Sequence, residues 1–172
     1  MRANVRIAAA NPTSVVQADW LALRDEKMLA WMLGNADAVA AVHTITEICD
    51  VWDDLIDKDV PVTNAQVNEA FTKALIGLQL NRFYKANEAY FFPLIVTGIN
   101  AWLDANTLQK DTSEKWRMLA FYIRTFGFEI CHLAVFLVGG WEHLRRVSLD
   151  MRQFFERESY PEWEHRHGLD ES

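Results

Sequence analysis

The chain has 172 residues, 51% of them apolar, which suffices for one well-buried core and is too short for two ordinary domains. A net charge of -7 and a pI near 5.2 exclude a general nucleic-acid binder, which needs a positive stripe to meet the phosphate backbone. Seven Gly and four Pro are too few for a turn-rich β sandwich, so the expected fold is an all-α, single-domain bundle of five to six helices.

In chain order, residues 1–12 read as an N-terminal arm, "MRANVRIAAANP", with two arginines but too few apolar residues for a signal peptide. The bundle domain is expected over 13–158. Ser14 with Gln17 forms a capping box that opens a helix through Trp20, Leu23, Met28, Trp31 and Met32, and Gly34 is placed to end it. Asn35 caps a second helix, which runs to about Lys58 and stops before Pro61. Thr63 with Gln66 opens a third, to about Leu80.

The segment from about Asn81 to Asn106 carries Pro93 in its interior and is expected to kink there or to split into two abutting helices. Asp111 with Glu114 caps a fifth helix, which reaches the breaker Gly139-Gly140. A sixth runs from Trp141 to about Glu158, and residues 159–172 form a polar tail with no core pattern of their own. Cys49 and Cys131 lack metal spacing and read as buried free thiols, which suits a reducing cytoplasm. No run approaches the roughly 18 uninterrupted apolar residues of a membrane span.

The second helix is the unusual one. His43, Glu47, Asp50, Asp54 and Asp57 are spaced by 4, 3, 4 and 3 residues and so share one face, with Ile45, Ile48, Trp52, Leu55 and Ile56 opposite. A solvated acidic face is one reading of that pattern. Stacked like charges each cost about 0.2–0.5 kcal/mol, however, and no Lys or Arg lies between residues 28 and 57 to relieve them. Asp54 and Asp57 also sit near the helix C-terminus, where the macrodipole opposes negative charge. A divalent cation or a basic partner surface would compensate them. Oxygen ligands on a rigid helix favour Mg²⁺ or Mn²⁺, with Asp50, Asp53, Asp54 and Asp57 as candidate ligands and Glu47 orienting a water.

The "DDLID" of residues 53–57 resembles the aspartate-rich helix of class I isoprenoid synthases, which implies Mg²⁺ held by Asp53, Asp54 and Asp57 against a substrate diphosphate. Glu47-x-x-Asp50 and Asp54-x-x-Asp57 also look like the acidic pairs of all-α nucleotide pyrophosphatases, which implies a hydrolase.

A second constellation lies in the fifth helix. Glu129 and His132 stand at i,i+3 in an apolar run, the ligand spacing of di-metal carboxylate bundles, in which Glu88 and Glu26 would supply single ligands. Their plainer reading is structural pairing, with each other, with Arg124 or with another helix of the bundle. Arg124, Arg145 and Arg146 are candidate phosphate clamps or, more simply, partners of the acidic helix, while His143, His165 and His167 read as surface histidines.

Three functions follow as expectations. One is a Mg/Mn-dependent enzyme acting on a phosphorylated or diphosphate small molecule. Another is a non-catalytic, possibly viral, helical assembly or interaction protein, and the third is a di-metal carboxylate bundle. Aromatic density in "NRFYKANEAYFFP" (81–93) adds the expectation of a homo-oligomer, with no membrane partner.

Overall fold

The computed structural model describes residues 14–58, 60–156 and 158–166; of residues 14–18 and of Phe126 it describes the backbone only. Among these residues the fold is all-α without strands, arranged as a single domain. The N-terminal arm, Asp59 and His167 lie outside them, as do the side chains of the expected capping box at Ser14 and Gln17.

Helix α1, Ser14–Trp31, ends where Leu33 and Gly34 turn left-handed (φ 51° and 80°) and the Gly34 N–H reaches back to the Leu29 carbonyl. Asn35 then caps α2, Ala36–Asp57, its side chain accepting from the Ala38 N–H at 3.0 Å. The Thr63–Gln66 capping box opens α3, Asn64–Thr72. A π turn, Lys73–Gly77, and the short α4, Leu78–Leu80, extend the same helical run. Asn81 caps α5, Arg82–Leu108, and its side-chain amide also donates to the Asp37 carbonyl at 2.8 Å, fastening α5 to the start of α2.

Pro93 does not divide α5 into two helices. The run is continuous to Leu108, held by packing around Phe91 and Trp102, which are 0% and 2% exposed. The next helix starts two residues later than expected. Asp111 accepts from the Ser113 N–H in a turn, and Ser113 takes the N-cap position of α6, Glu114–Ile123.

The uninterrupted fifth helix is also corrected: a 3-10 turn, Arg124–Phe126, separates α6 from α7, Gly127–Phe155. The expected break at the glycine pair is present as a fold-back inside α7, where Gly140 adopts φ 74°, ψ -176°. The two arms lie against each other. Phe128 stacks on Phe155 at 5.4 Å, and Glu129 meets Arg152 at 2.8 Å. By length and composition, one helical stretch within 114–166 is apolar enough to cross a membrane, and nearly half of it is buried in this fold.

The core gathers Trp31, Met32, Val42, Phe91, Val135 and Met151 from α1, α2, α5 and both arms of α7. A smaller cluster joins Ala105, Ala120, Phe121 and Trp163. Trp163 belongs to α8, Tyr160–Arg166, within the segment expected to have no core pattern, and it is 1% exposed.

His143 is likewise buried and not a surface residue. Its Nε2–H donates to the Trp31 carbonyl at 2.7 Å, and the space it fills exists because residue 139 is Gly, where a Cβ would come within 2.4 Å of the imidazole. Both cysteines are free thiols, and burial pushes Cys49 up to about 11 and Cys131 to about 12.

Candidate functional site

The core stripe of α2 passes through Ala38, Val42, Ile45 and Cys49, and the next position on it is Asp53. A carboxylate therefore enters the interior where an apolar side chain would ordinarily sit. Asp53 is 5% and Asp54 8% exposed. The indole N–H of Trp102 on α5 donates to Asp53 Oδ1 at 2.8 Å, and the Trp102 ring packs 5.1 Å from Trp52.

Arg124 closes this region from the turn between α6 and α7. Its guanidinium Nη2 stands 4.0 Å from Asp53 and 3.7 Å from Asp57, while Nη1 donates to Gln109 at 3.0 Å. The Trp163 ring lies 5.5 Å from its Cζ. Burial pulls the Arg124 pKa below its ordinary value, opposed by the charges of Asp53 and Asp57. Four elements thus meet at one buried cation. The arrangement balances charge and anchors the end of α2 against α5 and α8.

The other candidate ligands of this helix diverge. Asp50 is half-buried, with Oδ1 enclosed. Glu47, expected to orient a water, is exposed and pairs with Lys73 of the π turn at 2.8 Å. Lys73 also bridges Glu69, and these two hydrogen bonds raise its pKa. His43 faces α1, with Nε2 3.2 Å from Asp25. Burial and then the neighbouring Arg24 lower its pKa, against the pull of Asp25 and Glu47.

The solvated-stripe reading is overturned over the last two turns of α2. There the acids Asp53 and Asp54 are buried, whereas Trp52, Leu55 and Ile56, expected inside, are 37%, 42% and 54% exposed. The cause lies in other elements: Trp102 and Arg124 offer polar partners on the inner side, and α3 covers the outer one only in part, leaving a groove beside Trp52 and Leu55.

Glu129 and His132 pair not with each other but with groups elsewhere. Glu129 meets Arg152 at the surface, while His132 is buried and donates from Nδ1 to the Phe128 carbonyl at 2.8 Å, one turn back. Glu88 is bonded to Lys85, and Glu26 is exposed on α1. Arg145 and Arg146 lie on the second arm of α7. The first bonds to Ser148 and the second to His143, and neither forms an ion pair with α2 among the described residues.

Among the described residues, no group of three or more His, Cys, Asp or Glu is placed to hold a metal ion. The network around Asp53 depends on Trp102, Gln109 and Trp163, which sequence reasoning missed. A signal for the last existed: Ser159-x-x-Glu162 has capping-box spacing, and the Glu162 carboxylate accepts from the Ser159 N–H at 2.8 Å and from its hydroxyl at 2.7 Å.

Two concavities flank this region. A cleft of about 450 Å³ opens between α5, α6 and both arms of α7, lined by Tyr122, Thr125, Phe128, Glu129, Arg152 and Glu156. A groove of about 240 Å³ runs between α2 and α3, with a lining composed entirely of apolar side chains such as Ile48, Trp52, Leu55 and Phe71. Comparison with family models, with curated proteins and with solved structures finds no match to this chain.

Proposed function

We propose that this chain is a non-catalytic helical interaction protein that works through the apolar outer face of α2 and α3. One observation carries the reading: in the last turns of α2 two carboxylates, Asp53 and Asp54, are buried, Asp53 on Trp102 with Arg124 alongside, while the bulky apolar Trp52, Leu55 and Ile56 are exposed. Burying acids and exposing Trp52, Leu55 and Ile56 opposes solvation on both faces. Such an exposed apolar patch on a folded domain marks a contact surface. Phe71, Leu75 and Ile76 of the adjoining run, 62%, 71% and 54% exposed, extend it.

The competing reading is a Mg/Mn-dependent enzyme for a phosphorylated small molecule, with metal at Asp50, Asp53, Asp54 and Asp57. It requires carboxylates that can converge on a cation. Asp53 instead accepts an indole N–H, and the nearest cation to Asp57 among the described residues is the chain's own Arg124, at 3.7 Å.

A thermal-shift series on EDTA-treated protein separates the two readings. We expect Mg²⁺, Mn²⁺ and pyrophosphate, singly or together, to leave the midpoint within about one degree, because a ligand that binds only the folded state must raise it. A rise of several degrees with one metal, absent from an Asp54→Asn/Asp57→Asn variant, would overturn the interaction reading.

A further inference from the structure

Two histidines on different elements hold α1 to the rest of the fold. His143 of α7 donates from Nε2–H to the Trp31 carbonyl at 2.7 Å, and His43 of α2 sets its Nε2 3.2 Å from Asp25. Trp31 is the last residue of α1, where a carbonyl has no partner within its own helix, so His143 satisfies a group the helix leaves open. A third polar tie needs no histidine. Asp150 of α7 accepts from Lys27 at 3.1 Å and from the Trp31 indole N–H at 2.9 Å.

The bonds of His143 use both ring nitrogens. With the proton on Nε2, Nδ1 holds a lone pair and accepts from Arg146 Nη2 at 3.4 Å. The ring is buried and fills the space left by Gly139, so it has no room to turn away. A second proton enters at Nδ1. It replaces a hydrogen bond with two cations face to face, where burial already opposes charge. The charges nearby do not offset this, because Asp150 is engaged by Lys27 and Trp31, and Glu142 is exposed on α7. His43 meets the same opposition. Burial first and Arg24 second lower its pKa, against Asp25 and Glu47, and those two acids are themselves bridged by Arg24 and Lys73.

We infer that α1 is an acid-released latch: proton uptake at His143 and His43 weakens both ties, and α1 opens as a unit while the rest of the bundle holds. Opening uncovers Phe154 and Phe155 of α7, on which Trp20 and Trp31 pack, so an apolar surface becomes available only in acid. The ties between α2 and α5, Asp53 to Trp102 and Asp37 to Asn81, contain no histidine. The latch is independent of the interaction reading of α2 and α3.

Hydrogen–deuterium exchange on the full chain, at pH 7.5 and pH 5.5 and corrected for intrinsic rates, tests it. Each histidine that stays neutral in the closed form weakens closure by up to about tenfold one unit below the ordinary value of about 6.5. Protection of α1 amides is therefore expected to fall about tenfold or more, and that of α5 by less than about twofold. His143→Gln, whose amide takes no proton, should lose a large part of this pH dependence. Arg146→Gln changes an exposed side chain and removes the cation facing Nδ1, so the closed form itself takes the proton more readily and the loss should shrink to about threefold. Protection of α1 that holds at pH 5.5, a loss shared equally by α5, or an Arg146→Gln response equal to that of the wild type overturns the latch.

Discussion

Arg124 keeps its charge in a site where burial opposes it, and the carboxylates of Asp53 and Asp57 supply the compensation. Removing one partner of a buried charge network leaves the rest exposed to the desolvation cost. Arg124→Met should therefore lower the unfolding free energy by about 2 kcal/mol, below the full value for a buried pair because the contacts are long and Asp57 is partly solvated. Urea denaturation measures this, and a loss under about 0.5 kcal/mol would show the guanidinium to be dispensable. His43 makes a second prediction. Its folded pKa lies below the ordinary 6.5, so the unfolded chain takes the proton first, and stability present above that value declines as the pH falls through it. Between about pH 7.5 and pH 5.5 the wild type should lose more midpoint than His43→Gln, and equal losses would remove His43 as the cause.

Among the elements, the fold-back of α7 depends on one backbone position. Gly140 lies at φ 74°, ψ -176°, a region that only glycine occupies without strain, and no atom lies within 4 Å of where a Cβ would stand. Gly140→Ala should cost about 1–3 kcal/mol purely through the backbone, lowering the midpoint by roughly 2–4 °C per kcal/mol. An unchanged midpoint would mean the arms hold their geometry without it. This break was legible because Gly139-Gly140 interrupts an apolar run. The break at Arg124–Phe126 was not, since no Gly or Pro lies between residues 99 and 126 and the turn arises where Arg124 reaches the acids of α2. Capping residues at Asn35 and Thr63 were legible for a local reason: each bonds to a backbone N–H three residues ahead, as Asn81, expected only as the start of a segment, also does. The signal at Ser159 and Glu162 is of the same kind, but it was passed over inside a charged segment.

At the scale of the whole molecule, the apolar side chains of α2 and α3 form an outer face that the fold itself leaves uncovered. An apolar face on a folded domain takes up environment-sensitive apolar dyes, so the native wild type should enhance dye fluorescence and Phe71→Glu/Leu75→Glu should lose most of that enhancement with unchanged far-UV circular dichroism. Equal fluorescence in both would remove this face as the contact surface.

Composition and helical periodicity were sufficient to determine the all-α class, the caps at Asn35 and Thr63, the glycine break and the unusual character of residues 53–57, because each depends on neighbours within a turn or two. Only the tertiary structure decided which side of α2 faces inward. A helix wheel ranks faces by hydrophobicity, but Trp102, Arg124 and Gln109 come from distant elements and make the acidic side the better buried one. The fate of Glu129, His132 and His143 was settled the same way, by whether a partner 23, 4 or 112 residues away could satisfy a polar atom.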